Sequence, residues 1–183
     1  MKKIIHYLVV ISAFSPISCN YQNSTSCSKG FVELKVPIAN STFQLPPYIL
    51  KDTGIYGGSN KLLSYKIVSL DSSFSMNIFV DNYADTSRTP LALKQVSKVQ
   101  KGEVESALNS KKFILEQYKT IGKNNIGFLK YFVEQGSEKF YAGRIFYYVD
   151  KKLTVCWLFE KVTEESNKKQ LAMDCVFESL VID

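Results

Sequence analysis

The stretch KFYAGRIFYYVDKKLTVCWLFEKV, residues 139–162, consists of two apolar runs separated by the short polar segment DKK. Aromatic and β-branched residues dominate both runs, and this composition is typical of strands. Because so short a connection joins neighbouring antiparallel strands, the stretch predicts a β-hairpin. In FYAGRIFYYV, apolar side chains stand at both odd and even positions. We therefore expect a sheet that is covered on both faces or that offers one face to a partner.

Two more strand-like runs precede this hairpin, FILEQYKTI at residues 113–121 and NIGFLKYFVEQ at residues 125–135. The turn signals GKNN and EQGSEK follow these runs, so the four strands are predicted to form an antiparallel meander. Nearer the N-terminus, alternation of apolar and polar residues predicts three further strands. They are FVELKVP (31–37), KLLSYKIVSLD (61–71) and SFSMNIFVDNY (73–83).

Two helices are expected beside these strands. Thr89 and Pro90 have the pattern of a helix start, a capping hydroxyl followed by proline at the first helical position, and an apolar stripe then continues toward Gly102. The last helix is predicted to begin after Thr163 and to bury Cys175 in its apolar stripe. The chain is thus predicted to be an α+β protein, with an antiparallel meander flanked by helices.

This order of elements resembles that of the PsbP-like domains. The resemblance is carried by FYYVDKKLTVCWLFEKV (146–162) followed by the closing segment VFESLVI (176–182), in which Ser179 takes the place of the serine at the family's helix close. It covers residues 45–182. It implies an α/β/α sandwich with a central antiparallel sheet, and an adaptor or assembly role without catalysis. Small bacterial lipoproteins are among the members of this group.

The N-terminus resembles a bacterial lipoprotein signal peptide. Lys2 and Lys3 precede about eleven mostly apolar residues, a length that fits a signal sequence and is too short to span a bilayer. Cys19 follows, at the position where such a signal is cleaved and the cysteine acylated, for example by palmitate. Ordinary secretion after cleavage at Ser18, and an uncleaved membrane anchor, are the alternatives.

This interpretation divides the chain into three parts: a signal peptide at 1–18, an acylated cysteine with a polar tether at 19–30, and one globular domain at 31–183. The tether sequence NYQNSTSCSKG is polar and lacks any hydrophobic period, as expected of a flexible segment. We expect the protein in the bacterial cell envelope, attached to the membrane through its lipid. Because Asn20 is not the aspartate of an inner-membrane retention signal, the outer membrane is favoured over the inner.

The only histidine, His6, lies inside the predicted signal peptide. Loss of that segment leaves no imidazole, which excludes histidine-based catalytic triads and metal sites that need histidine. We therefore predict no catalytic residue, no metal and no cofactor. Paired carboxylates are the remaining catalytic option, Asp81 with Asp85 or Glu103 with Glu105, although such pairs more often lie on solvated loops and helices.

The charge distribution argues against a nucleic-acid partner. Without residues 1–18 the chain has 21 basic and 17 acidic residues, a net charge of +4. The basic residues are scattered and mostly have acidic neighbours, whereas nucleic-acid binding needs a concentrated basic stripe.

Three cysteines remain if Cys19 is acylated: Cys27, Cys156 and Cys175. Cys156 falls in a strand and Cys175 in the following helix, and consecutive elements usually pack together. The two can form a disulfide, or they can be two separate buried thiols. In either case Cys27 is expected to be free on the tether.

These observations favour a non-catalytic binding or assembly factor that works on another envelope protein. Its contact surface is predicted to include Tyr147, Tyr148, Trp157 and Phe159, because aromatic side chains supply large contact areas at small entropic cost. The alternative is that these four residues are simply core. An immunity lipoprotein that neutralises an envelope toxin, a carrier of a small ligand, and a carboxylate-dependent envelope enzyme are the other functions that the sequence leaves open.

Overall fold

In the computed structural model of this chain, the structure describes residues 30–56, 62–82, 91–107, 111–163 and 171–182. These residues form ten strands and two α-helices, with a short 3-10 helix at Pro37–Ala39. In chain order the elements are β1 Val32–Val36, β2 Ser41–Leu45, β3 Tyr48–Tyr56, β4 Leu62–Ser69, β5 Phe74–Asn82, α1 Leu93–Ala107, β6 Lys111–Ile121, β7 Asn124–Gln135, β8 Glu138–Val149, β9 Lys152–Lys161, α2 Ala172–Ser179 and β10 Val181–Ile182.

The strands belong to two antiparallel sheets, one of seven strands in the order β3-β4-β5-β9-β8-β7-β6 and one of three strands in the order β1-β2-β10. The predicted meander is confirmed as β6 to β9, in which each strand pairs with the next. The N-terminal strands β3 to β5 form a second meander. The two meanders are joined where β5 pairs with β9, from Phe74 opposite Glu160 to Asn82 opposite Lys152.

Side chains alternate between the two faces of the seven-stranded sheet, as they must along a strand. Phe128 and Leu129 are neighbours in β7 but belong to different buried clusters, and the same holds for Ile145 and Phe146 in β8. We name the faces after the helix whose side chains pack on each. The α2 face carries Phe128 and Ile145, and the α1 face carries Leu129 and Phe146.

The α2 face is covered by both α2 and the three-stranded sheet. Phe43 of β2 is completely buried there, and Phe128 of β7 stacks on Phe177 of α2 with ring centroids 4.8 Å apart. Each such side chain contributes roughly 1.5–3 kcal/mol when it is removed from water. A helix and a small sheet therefore form the layer over this face. The resemblance had implied a helical layer alone.

Long-range polar contacts hold α2 in place. Glu160 of β9 accepts hydrogen bonds from the backbone N–H groups of Ala172 (2.9 Å) and Met173 (3.0 Å), which are the unpaired donors at the start of the helix. Lys119 of β6 donates to the carbonyl of Phe177 at the other end. The helix begins at Ala172, with Leu171 extended before it. The predicted start after Thr163 falls on residues 164–170, which lie outside the described residues.

Lys130 of β7 adds an ion pair to this arrangement, since its Nζ lies 2.8 Å from Oδ1 of Asp174 in the first turn of α2. An acidic residue near a helix N-terminus also interacts favourably with the helix dipole. An eight-residue helix would be marginal by itself. These contacts and its buried stripe explain why it forms.

The first helix is longer than predicted. It continues through Gly102 to Ala107, beyond the residue toward which the predicted apolar stripe runs. The N–H of Ala92, just before the helix, donates to Oε1 of Gln95 at 3.0 Å, which satisfies one of the donors at this end. Thr89 and Pro90, the predicted start, lie outside the described residues.

Glu116 of β6 anchors α1 to the sheet. Its carboxylate accepts hydrogen bonds from Ser97 (2.7 Å) and Lys101 of α1 and from Tyr118 (2.6 Å) of its own strand. These hydrogen bonds, Lys101 first, lower the pKa of Glu116 to about 2. The side chain is therefore fully ionised at neutral pH, and it links the helix to the strand by charge as well as by packing.

Candidate functional site

Partly exposed aromatic side chains lie together on the α1 face, beside the helix. Strands β5, β8 and β9 supply them, and they form the aromatic patch: Phe79, Phe140, Trp157 and Phe159. The rings of Phe79 and Trp157 are 5.0 Å apart between centroids, and those of Phe140 and Phe159 are 6.0 Å apart. Such spacings are typical of interacting aromatic pairs.

The position of α1 explains why these rings are not fully buried. The helix packs mainly on β7 and β8, where Val96 and Val104 are buried against Leu129 and Tyr131. The patch lies farther along the sheet, toward β9 and β5. All four of its side chains keep part of their surface exposed.

Arg144 lies behind the patch and is 4% exposed. Its guanidinium carbon is 4.6 Å from the ring centroid of Trp157 and 5.7 Å from that of Phe159, which places the charge over both rings. Its Nη1 donates to the Gly143 carbonyl at 2.9 Å, while its Nε has no hydrogen-bond partner. Burial lowers the pKa of Arg144 to about 10, and Glu103 partly offsets this effect, so the group is cationic at neutral pH.

The four aromatic residues predicted from the sequence are divided by the sheet. Tyr148, Trp157 and Phe159 lie on the α1 face and are partly exposed. Tyr147 lies on the α2 face, where it is completely buried and its hydroxyl donates to Oγ of Ser41 at 2.8 Å. The prediction that Tyr147 belongs to a contact surface is therefore wrong, because neighbouring residues of a strand point to opposite faces.

A cavity of about 430 Å³ adjoins the patch at the end of the sheet where the β4–β5 and β7–β8 turns lie. It is lined by residues 72–75, 137–140 and 159–162. Phe140 and Phe159 thus contribute both to the aromatic patch and to one wall of the cavity. The rest of the lining includes serines and the charged residues Glu138, Lys139 and Lys161, so the cavity has polar as well as aromatic walls.

Neither of the two carboxylate pairs that the sequence suggested as catalytic is seen as a pair among the described residues. Glu103 and Glu105 are both exposed on α1, and residues two apart on a helix do not face each other. Asp81 is partly buried at the end of β5, and Asp85 lies outside the described residues. Glu160 also lines the cavity, and burial raises its pKa, but both of its oxygens accept hydrogen bonds from the start of α2.

The cysteines differ from the predicted pairing. Cys156 is a buried free thiol, and burial raises its pKa well above the usual range. Cys175 is disulfide-bonded. A bridge between Cys156 and Cys175 is therefore contradicted, and so is the alternative of two free buried thiols. Cys156 points into the core of the α2 face and is surrounded by apolar side chains.

Sequence reasoning missed three residues of this site: Phe79, Phe140 and Arg144. Alternation along β8 could have identified Phe140, because residues an even number of positions apart in a strand point to the same face, and Phe140 is such a residue relative to Arg144 and Tyr148. An arginine inside the otherwise apolar run FYAGRIFYYV was also a signal, since a charge there has to be buried or paired. Phe79 could not be placed in this way, because its neighbour β9 is distant in the sequence.

The lipid anchor falls on a part of the chain that the structure does not describe. Cys19, the signal peptide at 1–18 and all but the last residue of the tether lie there. Within the described ranges, no helix is long and apolar enough to cross a membrane. The same residues include no cluster of three or more side chains suited to holding a metal ion.

Comparisons with known proteins reveal similarity in structure only. A scan against protein-family models and a search of curated proteins found no match. The solution structure of cyanobacterial PsbP (CyanoP) from Synechocystis sp. PCC 6803 is similar, with a TM-score of 0.59 and 12% identity over 84% of this chain and 93% of that chain. The Ran-binding protein Mog1p of Saccharomyces cerevisiae gives a TM-score of 0.47 and 11% identity, over 83% and 95% of the two chains.

The mostly antiparallel sheets, the two helices and the similarity to CyanoP establish the class as α+β. Within that class the chain has a PsbP-like fold. At 12% identity this likeness concerns the fold and not the function. The predicted family resemblance is confirmed to that extent.

Proposed function

We propose that this protein is a lipoprotein of the bacterial cell envelope, tethered through acylated Cys19, that binds another envelope protein as a non-catalytic assembly factor or adaptor. Its domain is an α/β/α sandwich in this proposal, and the aromatic patch is the contact surface. The observation that carries the proposal is the partial exposure of four clustered aromatic side chains on one face of the sheet.

The chemistry of the patch suits a protein partner. Trp, Tyr and Arg are enriched among the residues that dominate binding energy, because large rigid rings gain contact area at little entropic cost. Here Trp157 lies over the buried guanidinium of Arg144, which fixes the ring and pre-organises the surface. A partner that covers the patch removes the remaining exposed ring surface from water.

The test is chemical crosslinking in native membranes, followed by detergent extraction and identification of proteins that co-purify in stoichiometric amount. Phe159→Ala removes a ring from the patch, and we expect it to reduce recovery of the partner at least tenfold. Phe113→Ala is the matched control, because Phe113 is 46% exposed on β6 and lies outside the patch. Cys19→Ala should shift the protein out of the membrane fraction.

Two outcomes would contradict this proposal. Equal recovery of the partner protein with Phe159→Ala and Phe113→Ala would show that the patch is not the contact surface. Absence of any stoichiometric partner from correctly anchored protein would remove the adaptor function itself.

A second candidate function is the binding of a small ligand, which the cavity beside the patch favours. Its volume of about 430 Å³ falls within the range of small-molecule sites, and Phe140 and Phe159 supply an apolar wall. Native mass spectrometry of protein extracted from its own membranes would reveal a bound molecule. Ser137→Trp, at the rim, should abolish that adduct if the cavity holds it. Glu134→Ala, on the adjacent strand and outside the cavity lining, should retain it.

A further inference from the structure

Strand β6 is an edge of the seven-stranded sheet. It pairs with β7 on one side, and no strand within the described residues pairs with its other side. Three of its side chains, Phe113, Ile114 and Tyr118, are 41–46% exposed although they are apolar or aromatic. The backbone N–H and C=O groups along such an edge are a template for pairing with another strand. The edge is therefore a candidate interaction surface separate from the aromatic patch.

An irregularity blunts the first part of this edge. The register with β7 shifts between Phe113 and Leu115, so that Ile114 is an extra residue in β6. A bulge of this kind bends the strand and disrupts regular pairing. From Leu115 to Ile121 the register is regular. We name this stretch the open edge, because it is the part of β6 that can accept another strand.

Both charges of the open edge are engaged within their own chain. Glu116 accepts hydrogen bonds from two residues of α1 and from Tyr118. Lys119 donates to the carbonyl groups of Phe177 and Glu178 at the end of α2, and its Nζ lies 4.5 Å from the ring centroid of Phe177. A lysine on an edge strand usually repels a second strand. Here the lysine is directed back toward α2 and leaves the edge accessible.

We propose that the open edge pairs antiparallel with the open edge of a second copy of this chain, which joins the two seven-stranded sheets into one. The pairing goes beyond the proposed function and does not depend on the lipid anchor or on the aromatic patch. Its support is that the sequence of the open edge is complementary to itself.

Symmetry limits the registers that two identical strands can adopt. Hydrogen-bonded and non-hydrogen-bonded pairs alternate along antiparallel strands, so a two-fold axis must place one residue opposite its own copy. An axis at Glu116 or at Lys119 would place like charges opposite each other, and such pairs are destabilising. An axis at Gln117 would place Leu115 opposite Lys119. An axis at Tyr118 avoids these contacts and uses the whole open edge.

The side chains that the Tyr118 axis brings together are compatible. On the α2 face, Leu115 of each copy lies opposite Ile121 of the other, and both residues are only partly buried in the single chain. On the α1 face, Tyr118 lies opposite its own copy, and aromatic cross-strand pairs stabilise sheets. The paired backbones would form about six to eight hydrogen bonds.

The pairing also determines how two copies are oriented. Residues that lie opposite each other in a sheet point to the same face, so the two-fold axis is perpendicular to the joined sheet. Both aromatic patches therefore lie on the same side of the dimer. The interface is isologous and closed, and it occupies the β6 edge of both copies. Because it is confined to one short stretch, we expect a dimer that forms and dissociates with concentration.

Cysteine crosslinking of the full chain expressed in bacterial cells tests the register. In Tyr118→Cys, the new thiol lies opposite its own copy, within the Cα separation that a disulfide requires. Mild oxidation should give a covalent dimer, and trypsin, which cleaves after Lys112 and Lys119, should release the peptide 113–119 linked to itself. Thr120→Cys is the matched control on the same face. Its own copy lies opposite Glu116, about 14 Å away along the strand, so it should not link to itself.

The mass of the purified full chain, measured by light scattering in detergent at increasing concentration, is the second measurement. Wild type should change from monomer to dimer. Tyr118→Lys places like charges opposite each other and should raise the dissociation constant of the dimer roughly tenfold. Thr120→Lys adds the same charge opposite Glu116 and should keep the dimer. Circular dichroism should show that both variants are folded.

Every contrary outcome overturns the proposed pairing. A wild-type chain that stays monomeric, without a self-linked peptide, refutes the dimer and leaves the aromatic patch to its own test. Equal self-linking of Tyr118→Cys and Thr120→Cys refutes the register, as does equal weakening by the two lysine substitutions. A crosslink of Tyr118→Cys to a different protein replaces the second copy by a foreign strand. Growth beyond dimers indicates a heterologous contact between different edges.

Discussion

On the α2 face of the seven-stranded sheet, side chains from β1, β2 and α2 bury a large apolar cluster, although Phe132 and Tyr141 stay partly exposed. Polar contacts fix the covering helix at both ends. On the α1 face, a single helix covers part of the same sheet and leaves the aromatic patch partly exposed. The strands are shared, so the difference comes from what packs on each face. The α2 face supplies most of the buried core, and the α1 face carries the aromatic patch, which we propose as the contact surface.

The comparison explains why residues of one type have different roles. Phe128 and Phe79 are both strand phenylalanines, yet one is 1% exposed against α2 and the other is partly exposed beside Trp157. A buried ring contributes to folding. An exposed ring that is held in place by its neighbours is available to a partner.

The largest effect is expected when a core residue of the α2 face is removed. Phe128→Ala eliminates the stack with Phe177 and leaves a cavity, which should lower the free energy of unfolding by roughly 3–5 kcal/mol. Urea unfolding measures this change. Phe79→Ala is the matched control on the α1 face and should lower it by only about 1–2 kcal/mol, because its ring is partly exposed already. Equal losses for the two variants would refute the difference between the faces.

A smaller loss of stability is expected when an extra atom is introduced into the buried part of the α1 face. A Cβ atom added at Gly127 would lie 2.3 Å from the ring of Phe146, so Gly127→Ala should lower the free energy of unfolding by roughly 1–3 kcal/mol. Gly102→Ala is the control, since nothing lies within 4 Å of its added Cβ and alanine favours the helix. That variant should be slightly more stable than the wild type. Destabilisation by both would show that the contact with Phe146 is not the cause.

The hydrogen bonds that attach α2 to the sheet can be removed without changing the core. Glu160→Ala leaves the N–H groups of Ala172 and Met173 without their acceptors, and it should lower stability by about 1–2 kcal/mol. Hydrogen exchange should speed up in α2 more than in α1. Glu138→Ala, at an exposed position, should leave both helices unchanged. Uniform acceleration of exchange over the domain would argue against a local cap.

The smallest effect concerns the ionic contact that holds α1. Because the pKa of Glu116 is lowered to about 2 from 4.5, its stabilisation is present above pH 4.5 and is lost as the pH falls toward 2. The side chains of Glu116 and Lys101 are 28% and 32% exposed, so we expect a loss of only about 1 kcal/mol. The Tm difference between wild type and Glu116→Gln should shrink from pH 6 to pH 2.5. A constant difference would contradict this linkage.

Local sequence patterns were sufficient to predict seven of the ten described strands and the C-terminal meander, whereas β2, β3 and β10 were not predicted. Phe74, Met76, Ile78 and Val80 stand at alternate positions of the predicted strand SFSMNIFVDNY, and the structure buries all four in the same cluster. The meander from β6 to β9 followed from short turns between apolar runs. The end of the first helix was predicted less accurately, because Gly102 is a weak local signal that packing overrides.

The candidate site could be predicted only in part. Trp157 and Phe159 were expected at a contact surface and lie in the patch, whereas Tyr147 was assigned to the wrong side. The sequence shows that β8 is apolar on both faces, but it does not show which face a helix covers completely. That depends on where α1 crosses the sheet.

The sequence by itself determined most of the segments that become strands and the order of pairing within the meander from β6 to β9, because alternation and turn chemistry involve only nearby residues. Tertiary structure alone decided that β5 pairs with β9, that Glu160 and Lys119 hold the ends of α2, and that Phe79 joins Trp157 in one patch. These contacts join residues far apart in the chain. They form only when the whole core repays the entropy of closing long loops.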